Sequence, residues 1–268
     1  RASLARETPA SRLIPVGVLS FFMKKNSLLF LAIAALLPIS ADAGARRFTY
    51  VYEATTGRPG SVDIENWVTF ETHTPNNHSF REVLFRHELE FGVTERLQAS
   101  IYLADWQYER GEGTSYTGSA IELLYNISNP VADPIGLAVY QEYKIGRRLF
   151  EWESKVIAQK NFGPFVAAYN ATLEATWEGE GLHEHSGELQ QSLGVSYEVN
   201  PRFAFGAELL HEIAFPDWQK TGRGVFFAGP NASVRVGRFW ATVTALGQLT
   251  NAGNEPDFQL RSIIGVMF

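Results

Sequence analysis

The chain has 268 residues, 45% of them hydrophobic and 19% charged, and it contains no cysteine. A disulfide framework and a thiolate metal site are therefore excluded. Residues 1–43 carry five Lys/Arg and two Asp/Glu, and the 18 basic and 27 acidic residues that follow leave a net charge of −9 on the remainder. That is the wrong sign for a surface that neutralises phosphates, so no nucleic-acid partner is expected.

From Met23 the sequence reads MKKNSLLFLAIAALLPISADA, with two lysines, an apolar run from Leu28 to Leu37, Pro38, and small residues at Ala41 and Ala43. Basic, apolar and small-x-small segments in that order are those of a secretory signal peptide. The apolar run is about half of the roughly 20 residues that a membrane-spanning helix needs. The expectation is a signal peptide over 23–43, cleaved after Ala43, with 1–22 an upstream segment outside the mature protein.

Residues 44–61 alternate at first, but Gly57, Pro59 and Gly60 interrupt them. They fit either a thirteenth strand folded into the lumen or a periplasmic lead-in, and the lead-in is expected because thirteen full strands would leave the parity wrong. From there to the end, alternation with period two recurs in blocks, and no long segment has helical periodicity. Val83, Phe85, Leu89 and Phe91 interleave with Glu82, Arg86, Glu88 and Glu90, and Phe150, Trp152, Val156 and Ala158 with Glu151, Glu153, Lys155 and Gln159. Leu189, Leu193, Val195 and Tyr197 do the same against Glu188, Gln190, Ser192 and Glu198.

Such blocks place strands near 62–73, 79–92, 97–109, 116–128, 135–145, 149–160, 165–177, 187–199, 203–214, 223–236, 239–250 and 257–268. Mostly tight, turn-rich connections such as NFGP (161–164), VNPR (199–202) and GR (237–238) alternate with looser polar ones such as 178–187, 215–224 and 251–256. The fold class this implies is all-β: a transmembrane antiparallel up-and-down barrel of about 12 strands over 62–268. In hydrocarbon only a closed sheet satisfies every backbone N–H and C=O. Trp67, Trp106, Trp152, Trp177, Trp218 and Trp240 are the candidates for interfacial girdles.

The last residues, DFQLRSIIGVMF, put Phe258, Leu260, Ile264, Val266 and Phe268 on one face. This resembles the C-terminal signal of bacterial outer-membrane barrels, which implies recognition by the barrel-assembly machinery through the strand ending in Phe268. The glycine often found five residues before the end in that signal is Ile263 here, with Gly265 two places later. The hairpins LEFGVTERLQASIYL, LLYNISNPVADPIGLAVY and YEVNPRFAFGAELL resemble those of uncharacterised outer-membrane transporter families. The resemblance implies a location in the bacterial outer membrane, in contact with its lipid, and says nothing of substrate.

On this register the lumen collects Glu65, Glu82, Glu88, Glu90, Glu122, Glu142, Glu151, Glu153, Glu174, Glu188 and Glu208, with Arg86, Lys144, Lys155, Arg235 and Arg261 as counter-charges. If the lumen is open, the excess of carboxylates favours cations; if these groups pair with one another, they fill it. His183 and His185, in an acidic stretch, are candidate metal ligands. His211 and Glu212 are neighbours on one strand and so point to opposite faces. No nucleophile elbow or phosphate loop occurs, so neither an enzyme nor a cofactor is expected. The expected function is a pore or transporter-like channel for small, possibly cationic solutes; the alternative is a filled barrel whose outer loops bind a ligand or partner.

Overall fold

The computed structural model describes residues 45–268; the expected signal peptide and upstream segment lie outside the described residues. Twelve strands follow one another: β1 (Val62–Thr74), β2 (Asn77–Gly92), β3 (Leu97–Glu109), β4 (Gly113–Ser128), β5 (Gly136–Gly146), β6 (Leu149–Phe162), β7 (Phe165–Glu178), β8 (Glu184–Asn200), β9 (Phe203–Pro216), β10 (Val225–Val236), β11 (Phe239–Gln248) and β12 (Phe258–Met267). Each lies within three residues, at either end, of the span its alternation marks. Every strand pairs antiparallel with its sequence neighbours. β1 closes the barrel on β12, from Asp63↔Met267 to Thr72↔Phe258.

Alternation sorts the two faces. On β4, Ala120, Glu122 and Leu124 are buried inside while Ile121, Leu123 and Tyr125 stand exposed outside. An outer surface carrying Ile121, Val156, Phe239 and Ile264 is one that only hydrocarbon covers at low cost. On β12, Phe258, Leu260, Ile264 and Phe268 point outward, and Gln259, Ile263 and Met267 are buried. Gly265 faces inward, where a Cβ would come within 2.2 Å of the Trp240 ring, so Trp240 explains why the glycine sits at this position.

Parity breaks once in a way that matters. Between Tyr102 and Asp105 the β3–β4 register shifts, so the inward set changes from Gln98, Ser100 and Tyr102 to Asp105 and Gln107. A bulge of this kind adds one residue and re-aims the side chains beyond it. Both Tyr102 and Asp105 thereby enter the lumen.

The connections 93–96, 129–135, 163–164, 201–202 and 237–238 lie at the end that also holds the start of β1 and the end of β12, here called the turn end. At the opposite, loop end are 75–76, 110–112, 147–148, 179–183, 217–224 and 249–257. Half of the polar stretch at 178–187 belongs to the ends of β7 and β8, with a single 3-10 turn at Glu180–Leu182 between them.

Near the turn end an outward aromatic row runs Phe162, Phe165, Tyr197, Phe205, Phe203, with centroids 5.7, 5.0, 5.8 and 6.3 Å apart. Toward the loop end Trp106 packs on Tyr116 and Phe150 on Trp177, each pair at 5.5 Å. Two of the expected girdle tryptophans are not there: Trp67 and Trp240 are buried inside, at 6% and 2% exposure, because both fall on inward positions of their strands.

Candidate functional site

The lumen gathers the barrel's polar chemistry. Glu65, Glu82, Glu88, Glu90, Glu122, Glu142, Glu151, Glu153, Glu174, Glu188 and Glu208 all lie on inward positions, as do Arg86, Lys144, Lys155, Arg235 and Arg261. Arg86 joins three strands: it forks onto Asp105 at 3.0–3.1 Å and reaches Glu142 at 2.7 and 3.3 Å, with its guanidinium 3.9 Å from the Tyr102 ring centroid. Lys144 pairs with Asp105 at 3.3 Å and Lys155 with Glu153 at 2.9 Å. Tyr102 donates to Glu122, and Tyr140 to Glu142 at 2.5 Å.

The segment expected as a periplasmic lead-in instead turns back into the barrel. Phe48, Thr49, Val51 and Ala54 are at most 2% exposed. Its backbone is held by lumen side chains that stand in for a neighbouring strand. Thr49, Tyr50 and Val51 N–H groups donate to the Glu208 carboxylate at 3.0, 2.7 and 3.0 Å. Asn170 accepts from Tyr52 N at 2.6 Å and donates to Tyr52 O at 3.0 Å. Gln159 accepts from Ala54 N at 2.6 Å, and Gln98 from Gly57 N at 2.8 Å. The physical reason is satisfaction: a chain inside a closed barrel finds no free strand edge, so its donors need side-chain acceptors.

Side chains of the segment fix it in three directions. Phe48 and Val51 pack with Val166 and Ala168, and the Phe48 ring lies where a Cβ on Gly194 would be, 2.7 Å away. Tyr50 packs with Leu210, Val225, Phe227 and Leu246, donates to Gln259 at 2.9 Å, and lies 3.9 Å from the Arg261 guanidinium. Tyr52 and Ala54 join Trp67, Tyr140, Ile157 and Trp240. Arg46 meets Glu65, and Arg47 meets Glu53 at 2.7 Å and Glu198 at 3.1 Å.

Toward the loop end the balance changes. Glu122, Glu142, Glu153, Glu174 and Glu188 occupy directly opposed positions on five successive strands. Like charges so placed repel. Glu142 and Glu153 have Arg86 and Lys155. Among the described residues no basic side chain lies within ion-pair distance of Glu174, Glu188 or Glu212, which are bonded only through Thr176 and Gln190 where they are bonded at all. The register pairing and this missing counter-charge were not visible from alternation alone.

His185 faces the His183 carbonyl at 3.3 Å, and no group of three His, Asp or Glu able to hold a metal ion occurs among the described residues. His211 points outward and stacks on Phe226 at 4.0 Å, while Glu212 points inward.

A closed, lipid-faced barrel of twelve strands with a charged lumen defines a transmembrane barrel of the bacterial outer-membrane type. The chain belongs to the family of unknown function DUF6662, whose model matches residues 40–262. Comparison with curated proteins finds no match. Among solved structures it is similar to the COG4313 outer membrane channel from Pseudomonas putida F1, with TM-score 0.61 and 12% identity over 82% of this chain and 100% of that one. It is also similar to the NanC porin (TM-score 0.51, 10% identity, 77% and 98% covered) and to the β domain of the Bordetella autotransporter BrkA (TM-score 0.50, 10% identity, 78% and 100% covered). At these identities the likeness is one of fold, and that fold is shared by proteins of different tasks.

Proposed function

We propose that the protein is an outer-membrane channel that favours small cationic solutes and that its own segment 45–57 closes in the state described. The observation that carries this reading is the row ending in Glu174 and Glu188, with Glu212 beside it: inward carboxylates without basic partners toward the loop end. A barrel that needed only to fill itself would gain by pairing them, whereas a solute path that raises local cation concentration needs them free. Two solved structures of the same fold are described as a channel and a porin, which agrees with the reading. Short turns and both strand termini at one end make that end periplasmic in this reading, with the acidic half opening outward.

One observation favours a second reading, a filled barrel serving structure or surface binding: segment 45–57 is bonded by Glu208, Asn170, Gln159 and Gln98 like an integral part of the interior. Planar-bilayer recording of the refolded chain from Gly44 to Phe268 in a salt gradient separates the two. Discrete cation-selective steps that weaken when Glu174 and Glu188 become Gln support the channel. A barrel that inserts but stays silent, even after Glu208, Asn170, Gln159 and Gln98, which bond the segment's backbone, are all changed to Ala, supports the filled reading.

A further inference from the structure

Arg46 is enclosed by three carboxylates and two aromatic rings. Its Nε lies 3.3 Å from Glu65 Oε1 and 3.2 Å from Oε2, and its Nη2 lies 3.7 Å from Glu88 and 3.6 Å from Glu90. The guanidinium carbon sits 4.8 Å from the Trp67 ring centroid on the barrel side and 4.5 Å from the Tyr52 ring. Trp67 Nε1 donates to Glu65 at 3.0 Å and so holds carboxylate and ring in one arrangement. Everything except Arg46 and Tyr52 comes from β1 and β2: Glu65 and Trp67 from one strand, Glu88 and Glu90 from the other, all four nine-tenths or more buried.

Arg46 does not use up this box. Both carboxylate oxygens of Glu88 are buried and meet no donor in good hydrogen-bonding geometry among the described residues, with the Ser100 hydroxyl beside them and Arg46 3.7 Å from one of them. A buried carboxylate left in that state is costly, and a cation able to bring further donors to it gains accordingly. The chemistry favours guanidinium over a metal ion. A planar, weakly hydrated cation with five N–H donors satisfies several acceptors while stacking on an indole. Calcium would need six to eight oxygen ligands at about 2.3–2.6 Å, and no three-residue metal group exists among the described residues.

We infer that Glu65, Trp67, Glu88 and Glu90 form a binding site for small guanidinium-bearing solutes, and that Arg46 is its tethered occupant, displaced when a free solute of that class arrives. This rests on the channel reading and names its substrate class. Displacing Arg46 removes one anchor of segment 45–57, so binding and opening are linked through a single competition. The linkage requires that the solute bind the open form better than the closed one, which it does if Arg46 occupies the box only when closed.

The test uses the refolded chain in detergent and in bilayers, with methylguanidinium as probe and tetramethylammonium as the cation of equal charge without donors. Arg46→Ala is expected to bind methylguanidinium by titration calorimetry at least tenfold more tightly than wild type, and tetramethylammonium no better. Trp67→Leu in that background is expected to erase the preference between the two. In bilayers, methylguanidinium is expected to raise the opening frequency of wild type severalfold where tetramethylammonium does not. Equal binding of methylguanidinium by wild type and Arg46→Ala, or no preference over tetramethylammonium, overturns the inference. If Arg46→Ala fails to refold, Arg46→Lys keeps the charge and is expected to bind methylguanidinium more tightly than wild type; absence of that gain counts equally against the site. Cation conduction without methylguanidinium binding sinks the site and leaves the channel standing. Selective binding by a barrel that never conducts does the reverse.

Discussion

At 2% exposure and with no base within ion-pair distance among the described residues, the Glu208 carboxylate is compensated by donors instead: three consecutive backbone N–H groups, Thr244 and Asn231. Successive N–H groups converging on one anion make a local concentration of partial positive charge. Removing the acceptor leaves buried donors unpaired, at roughly 1–3 kcal/mol for each one not rescued by water. Glu208→Ala is therefore expected to loosen segment 45–57 while leaving β9 paired on both sides. Limited proteolysis of the refolded barrel should then cut within 45–57, and cutting no faster than in wild type would show that the anchor is dispensable. Gly194 offers a steric counterpart. A side chain there would occupy the place of the Phe48 ring, whose burial contributes about 1.5–3 kcal/mol. Gly194→Leu should expose the segment as Glu208→Ala does, and adding Phe48→Ala should make room and partly restore protection.

Among the elements, parity is what the sequence made legible. Each strand had to keep one face in hydrocarbon and the other in a polar interior, so period two with apolar and charged partners was forced along β2, β6 and β8, and the inward position of Glu153 or Lys155 followed from Trp152 and Val156 pointing out. A direct check is Leu173→Lys against Glu174→Lys. The first places a charge on the lipid face and should cost about 2–4 kcal/mol if near the midplane, read as a lower unfolding midpoint in urea with lipid vesicles present. The second points the same charge inward between Glu153 and Glu188 and should cost less; the opposite order would mean that β7 has the other face inward. What was not legible has a physical reason in each case. The β3 bulge that brings Asp105 beside Arg86 shifts parity by one residue, and LADWQ carries no glycine or proline to announce it. Segment 45–57 is held by backbone N–H groups whose acceptors lie far away in sequence, 157 residues in the case of Val51 and Glu208. Main-chain donors are the same at every position, so local sequence cannot say where they go. Trp67 and Trp240 were misplaced because an indole suits an interface, whereas here one partners Glu65 and the other covers Gly265.

For the whole molecule, the two halves of the lumen divide the electrostatic work. Toward the turn end, Arg46 and Arg47 stand among carboxylates in close pairs and segment 45–57 adds its own bulk, while Arg86 and Lys155 pair with Glu142 and Glu153 near mid-barrel. Toward the loop end, Glu174, Glu188 and Glu212 face the interior without such partners. On the proposed channel reading, their summed field would attract cations and repel anions in a path walled by low dielectric, where screening is weaker than at an open surface. Selectivity should therefore reside in the loop half even when the segment controls whether current flows. In a barrel opened by Glu208→Ala, the zero-current potential across a potassium chloride gradient should carry the sign of cation preference. Changing Glu174, Glu188 and Glu212 together to Gln should bring it toward zero, with little change in how often the channel opens. Raising the salt on both sides at a fixed ratio should shrink the potential of the parent barrel, because more ions screen the same three charges, and should affect the triple variant less. If the potential survives the triple substitution, selectivity lies instead at the turn end around Glu65, Glu88 and Glu90, and the loop-half carboxylates would owe their freedom from partners to some other demand.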